Sequence, residues 1–199
     1  MKKDAFYDKI ASLIPTPLEE RTAAVLLLLW EGPMGPELVF ERRSARLRRQ
    51  AGEICLPGGG VEAGEDPAAA ALRECAEELG LNNVQLLSHA ESLRHRTGER
   101  VEVYVGRAES LVGMTLNPEE VAEAFTVPLS WLRNQPPRTA RLALRPDYVR
   151  SSPELHGLLE GYGRETTSPL WVWQGRIIWG LTARIVERFL RRTERWEEL

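Results

Sequence analysis

Residues Gly59 to Leu81 read GGVEAGEDPAAAALRECAEELGL, and their spacing decides how the rest of the chain is read. Asp66 is a residue type that caps helix N-termini, and Pro67 suits a first helical turn. Gly80 is a natural stop after the last turn. Between them Ala68, Ala71, Leu72, Cys75 and Leu79 recur at helical spacing, which predicts a helix with one apolar stripe. Glu74, Glu77 and Glu78 are related by three and four residues and crowd an adjacent face. Carboxylates so placed repel one another, and a hard divalent cation is a usual compensation. Arg73 can reach Glu77 one turn on and hold part of the array in place. Upstream, Pro57-Gly58-Gly59-Gly60 makes a tight loop whose backbone can approach a metal or phosphate closely. A solvated acidic helix face is the ordinary alternative. The loop and the helix together, at this spacing, weigh against it.

The same stretch resembles the Nudix signature, G-x5-E-x7-R-E-U-x-E-E-x-G-U, with U a bulky apolar residue. Gly59, Glu65, Arg73, Glu74, Glu77, Glu78, Gly80 and Leu81 stand at its specified places. Cys75 is a small hydrophobe at the remaining apolar position. The resemblance implies an α+β fold, a mixed β-sheet sandwiched between helices. It implies hydrolysis of the diphosphate linkage of a nucleoside diphosphate derivative, with Mg2+ or Mn2+ as cofactor. Divalent metals neutralise the negative charge of a diphosphate and lower the pKa of a bound water. Glu74 and Glu78 are the first choice of ligands, with Glu77 and the Gly59 carbonyl next. Glu65 would orient the helix or the ligands from behind. The general base stays open between Glu74, Glu120 and a water activated by the metal.

A second resemblance lies just upstream, in RRSARLRRQAGEICLPGGG. The coenzyme A pyrophosphatase branch of the Nudix enzymes carries L-L-T-x-R-S-x3-R-x3-G-x3-F-P-G-G at this point. Arg43, Ser44, Arg48 and Gly52 match it, and Val39 and Phe40 replace the two Leu. Leu56 stands for Phe, a mild change. Glu41 stands for Thr, which puts a charge in a stretch expected to meet an anionic ligand. By this resemblance Arg43, Ser44, Arg48 and Gly58 bind substrate, the arginines by holding phosphate oxygens of coenzyme A. A solvated Arg-rich loop is the alternative. The I-W-G-L-T-A run from Ile178 to Ala183 is also what the branch shows. So is an acidic-Glu-Val element before V-P-L, which makes Glu120 a candidate extra carboxylate.

Three functions compete. The first is a coenzyme A or acyl-coenzyme A diphosphatase, giving phosphopantetheine and adenosine 3′,5′-bisphosphate. The second is a Nudix hydrolase of a dinucleotide, nucleotide sugar or damaged nucleotide. The third is a non-catalytic domain on the same fold, ranked last because the carboxylates of the signature are all present.

The rest of the chain sets bounds. Its 199 residues suit one domain, 1–199, with a sizeable core. Hydrophobic residues at 43% and charged residues at 28% fit a soluble globular protein. A net charge of −3 predicts no general affinity for nucleic acid or acidic membranes. Cys55 and Cys75 make no disulfide framework, and Cys75 on the stripe reads as a core filler. The apolar run from Ala23 to Trp30 is too short to span a bilayer. Lys2 and Lys3 are followed by Asp4 and Asp8 with no apolar stretch of a signal peptide, so the cytoplasm is the expected location. A homodimer stays open.

In chain order, a helix is expected over Asp4–Leu13, then a break at Pro15-Thr16-Pro17. Arg21–Trp30 reads as a buried central strand that forms a hairpin with Glu37–Arg42. Further strands are expected over Val84–Ala90 and Arg100–Ala108, with His95 and Arg96 in the turn between them. Asn117–Val121 should open a short helical stretch, and Pro128 should mark a strand end. Ser130–Pro169 reads as a partly irregular insertion. Trp171–Ile178 reads as a strand with a bend at Gly175. A last helix is expected from about Ile177 to Arg195, with Arg184, Arg188, Arg191, Arg192 and Arg195 on its solvated face.

Overall fold

In β1 (Thr22–Gly32) the side chains of TAAVLLLLWEG point alternately to two faces, and both faces are covered. Leu26 and Leu28 pack with Cys75 and Leu79 of α1 (Pro67–Leu79) on one side. Leu27 belongs to the larger cluster on the other side, with Ile185, Val186 and Leu190 of α3 (Gly180–Thr193). A strand buried on both faces reads as a continuous apolar run, which is why Leu26 to Leu29 carry no alternation. Burial of each such leucine contributes roughly 1.5–3 kcal/mol. The structure, a computed structural model, describes residues 21–94, 98–142 and 166–193. The expected N-terminal helix and its proline break, His95, Arg96, Arg195 and the middle of the 130–169 insertion lie outside them.

β1 forms the expected hairpin with β2 (Gly35–Arg43), closed by a two-residue turn with Gly32 opposite Gly35. Further down, β1 pairs with β4 (Gly58–Gly60), and Leu26 N–H donates to Pro57 O at 2.9 Å. Its other edge runs parallel to β6 (Arg100–Ala108), which pairs antiparallel with β5 (Val84–Arg94). β2 takes β3 (Ile54–Cys55) at Arg42 and β7 (Val121–Pro128) along its outer edge. The result is a seven-stranded mixed sheet between α1 and α3, the α+β sandwich expected. The strand end at Pro128 is also as expected, since α2 (Leu129–Asn134) begins at the next residue.

Five expectations need correction. The start of the insertion is regular: α2 is followed by β8 (Arg138–Leu142), which joins β9 (Thr166–Trp173) and β10 (Arg176–Trp179) in a second, three-stranded sheet. Trp171–Ile178 is therefore two strands around a Gln174-Gly175 turn, both residues at positive φ, 48° and 80°. The last helix starts at Gly180, because Ile177 to Trp179 pair with β9 instead. Asn117–Val121 makes one turn, not a helix, with the Glu120 and Val121 N–H groups both on Asn117 O. Arg184 is half-buried, whereas Arg188 and Arg192 are exposed and hold Glu91.

Candidate active site

α1 is capped by the residues that announce it. Asp66 accepts from the N–H groups of Ala68 (2.9 Å) and Ala69 (3.2 Å), and Gly80 ends the helix at φ 69°. Of the expected stripe Ala71, Cys75 and Leu79 are buried, joined by Ala70 and Glu78 in place of Ala68 and Leu72. Glu78 is thus part of the packed face, while Glu77 points to solvent and Glu74 lies between them.

Each carboxylate has a holder. Glu78 Oε2 accepts the Gly58 N–H at 2.8 Å. Arg73 donates to Glu65 (2.8 and 3.0 Å), Glu74 (2.9 Å), Glu77 (3.0 Å) and the Gly60 carbonyl (3.0 Å). One guanidinium therefore fastens the helix to the glycine loop, and it holds the Glu65 carboxyl down to about 2, helped by the Glu62 N–H. The glycines are required for different reasons. A Cβ on Gly58, at φ 141°, would stand 2.3 Å from the Ala24 carbonyl oxygen. On Gly59 it would stand 2.5 Å from the Glu74 carboxylate.

Glu120 reaches the same place from another part of the chain. Asn117 N–H donates to Glu78 O (3.0 Å) and Ser44 N–H to Glu120 O (2.7 Å), which ties its loop to α1 and to the end of β2. Ser44, expected to bind substrate, is buried, and its hydroxyl donates to Pro118 O at 3.2 Å. It positions the Glu120 loop. Arg43 lines a cleft of about 260 Å³ with Gly58, Gly59, Gly60, Cys55 and Thr182. Its Nε is buried without a hydrogen-bond partner. Arg48 is exposed and does not line that cleft.

A carboxylate outside the expected set completes the cluster. Glu41 is fully buried; its Oε1 accepts from the Cys55 thiol at 3.2 Å, and its Oε2 has no partner. Burial raises the Glu78 carboxyl far above the ordinary 4.5, and the negative charges of Glu41, Glu74 and Glu120 add to the effect. Burial likewise raises Glu41 and Glu74. The only sequence signal for Glu41 was its departure from the motif, where it was read as a charge facing the ligand. It faces inward.

The family follows from comparison of the whole chain. A family model described as the NUDIX domain matches residues 20–146. The chain belongs to the Nudix family. The Nudix hydrolase NudL of Photorhabdus laumondii is 32% identical over 178 residues, covering 87% of this chain and 86% of that one. The peroxisomal coenzyme A diphosphatase NUDT7 of mouse is 37% identical over 97 residues, covering 47% of this chain and 41% of that one. A MutT/nudix protein from Enterococcus faecalis, 14% identical, superposes with a TM-score of 0.53 over 95% of this chain and 68% of that one, which shows a shared fold.

Nudix hydrolases generally work with a divalent metal, and the cluster fits one. Among the described residues no three His, Cys, Asp or Glu side chains are already gathered as a finished metal group. Glu74 and Glu77 are turned to Arg73, and Glu78 to Gly58. Yet a buried carboxylate oxygen lacks a partner, and the charges of Glu41, Glu74 and Glu120 add to the burial that raises the proton affinity of Glu78. A cation relieves both. The metal-free protein should accordingly lose stability as pH rises. The folded state holds protons on Glu78 and Glu41 above the unfolded value of 4.5, so the stability they allow is full below that value and falls above it. Thermal melts across this range should show a falling Tm without metal, and a Mg2+-induced rise that grows with pH. A metal-free Tm that rises between mildly acidic and alkaline pH would contradict this reading.

Proposed function

We propose that this Nudix pyrophosphohydrolase cleaves the diphosphate of coenzyme A or an acyl-coenzyme A. The observation that carries the proposal is Arg43, from the R-S-x3-R-x3-G segment, lining one cleft with the glycine loop and with Thr182 of the I-W-G-L-T-A run. Two motifs of the coenzyme A branch, far apart in sequence, thus meet beside the Nudix helix. The similarity to the mouse coenzyme A diphosphatase supports the same substrate.

In the reaction, a water oxygen ends on one phosphorus and the bridging oxygen leaves with the other. The products are 4′-phosphopantetheine and adenosine 3′,5′-bisphosphate. Glu74, Glu77, Glu78 and the Gly59 carbonyl would hold Mg2+ or Mn2+, which supplies charge neutralisation and a more acidic water. Arg73 keeps Glu74 and Glu77 at the helix surface, and Gly58 N–H orients Glu78. Arg43 meets the non-bridging phosphate oxygens, its rigid guanidinium suited to two of them at once. Glu74 and Glu120 are the side chains available to take the proton of the attacking water.

The arginines provide the test. An Arg–phosphate bond contributes about 1.5–3 kcal/mol, so Arg43→Ala should lower kcat/KM about ten- to a hundredfold. Beside the glycine loop, Arg43 should act on the reacting diphosphate, so coenzyme A and dephospho-coenzyme A should lose equally. Exposed Arg48 should affect only coenzyme A, through its 3′-phosphate. If neither substitution changes turnover of either compound, the basic segment is a solvated surface and the coenzyme A assignment is lost.

A further inference from the structure

We infer that Glu41 is a metal-binding carboxylate supplied by β2, outside the Nudix helix, acting with Glu78 on the same cation. The inference rests on the metal-dependent reading above but not on the identity of the substrate.

The strand geometry aims Glu41 at the helix. Side chains two apart on a strand share a face. Val39 packs in the cluster that contains Cys75 and Leu79 of α1, so Glu41, two residues on, faces α1 as well. Glu78 lies between Cys75 and Leu79 on the buried side of that helix. Across the sheet Glu41 stands opposite Cys55 on β3 and Ala124 on β7. Neither neighbour supplies a positive charge; the Cys55 thiol is a weak donor to Oε1, and the remaining close partner is the Glu78 carboxyl.

A fully buried carboxyl with an unpartnered oxygen can ionise only where something else neutralises its charge. Arg43, past a register shift at the end of the strand, is near enough for its charge to act on Glu41 but makes no hydrogen bond to it, and its own Nε is also unpartnered. Two such atoms of opposite charge on one strand match two ligands of opposite charge. The carboxylate suits a hard cation, and the guanidinium a phosphate oxygen. A purely structural Glu41 would have a strong donor on both oxygens. Glu41 instead has a weak thiol donor on Oε1, no donor on Oε2, and the Glu78 carboxyl beside it, two carboxyl groups placed to share one cation.

The test is calorimetric titration of Mn2+ alone into the full chain. Glu41→Gln keeps the shape and removes the charge. Its metal affinity should fall at least about tenfold, as expected for loss of a carboxylate ligand, while its metal-free Tm stays at or above that of the parent protein. A Glu41→Gln protein that binds Mn2+ as tightly as the parent overturns the inference. If that variant does not fold, Glu41→Asp decides. The carboxylate withdrawn by one methylene should weaken Mn2+ binding, and unchanged affinity again overturns the inference. Metal-free turnover of a diphosphate by the parent protein would instead sink the metal-dependent reading itself, so the two failures are distinguishable.

Discussion

Glu78→Gln should fold, melt at or above the parent temperature without metal, and lose kcat by about a hundredfold or more, roughly 3 kcal/mol of transition-state stabilisation. Activity falls because an amide is a poor ligand for a hard cation and cannot neutralise its charge. Stability survives because burial, with the neighbouring carboxylates adding to it, keeps the proton on Glu78 in the absence of metal. The neutral amide matches the protonated acid in charge and shape and still offers an oxygen to the Gly58 N–H. Kinetics at saturating Mg2+, with a melt of the same sample, separates the two effects. Near-normal kcat in a folded variant would remove Glu78 from the site.

The second large effect separates two adjacent glycines. Gly58→Ala should damage the fold. Its Cβ would meet backbone, the Ala24 carbonyl at 2.3 Å and Val25 Cα at 2.7 Å, and its φ of 141° strains any side chain. Such strain costs on the order of 1–3 kcal/mol before the clash is counted, so the Tm should drop by several degrees. Gly59→Ala should leave the Tm nearly unchanged and lower kcat by about ten- to a hundredfold. What its Cβ meets is the end of the Glu74 side chain, which can swing away. Displacing a catalytic carboxylate by about an ångström is enough for a loss of that size. The same pattern in both variants, both unstable or both inactive and stable, would contradict the roles assigned to them.

The helix that carries the site was legible because its signals are local. Asp66, Pro67 and Gly80 act within one turn of themselves, and the structure uses each as read. The apolar run in β1 was equally plain, since burial on both faces leaves no other pattern. What could not be read depends on pairing across long sequence distances. Gly58–Gly60 becomes a strand only because β1 lies against it. Ile177 to Trp179 looked continuous with the last helix, yet their backbone groups go to β9. The placement of Glu78 was misjudged for a related reason. Helical spacing puts the three glutamates together, but packing of α1 on the sheet buries one and exposes another. Ser44 was read as a ligand contact, while its partners, Pro118 and Glu120, are more than seventy residues away.

Chelation tests the central claim most directly. The parent protein is incubated with coenzyme A in Mg2+ or Mn2+, and in excess EDTA, and the products are identified by mass spectrometry. The account predicts phosphopantetheine and adenosine 3′,5′-bisphosphate with either metal, none in EDTA, and recovery when metal is restored. Full turnover in EDTA, or metal-supported cleavage of other diphosphates with coenzyme A untouched, would contradict it.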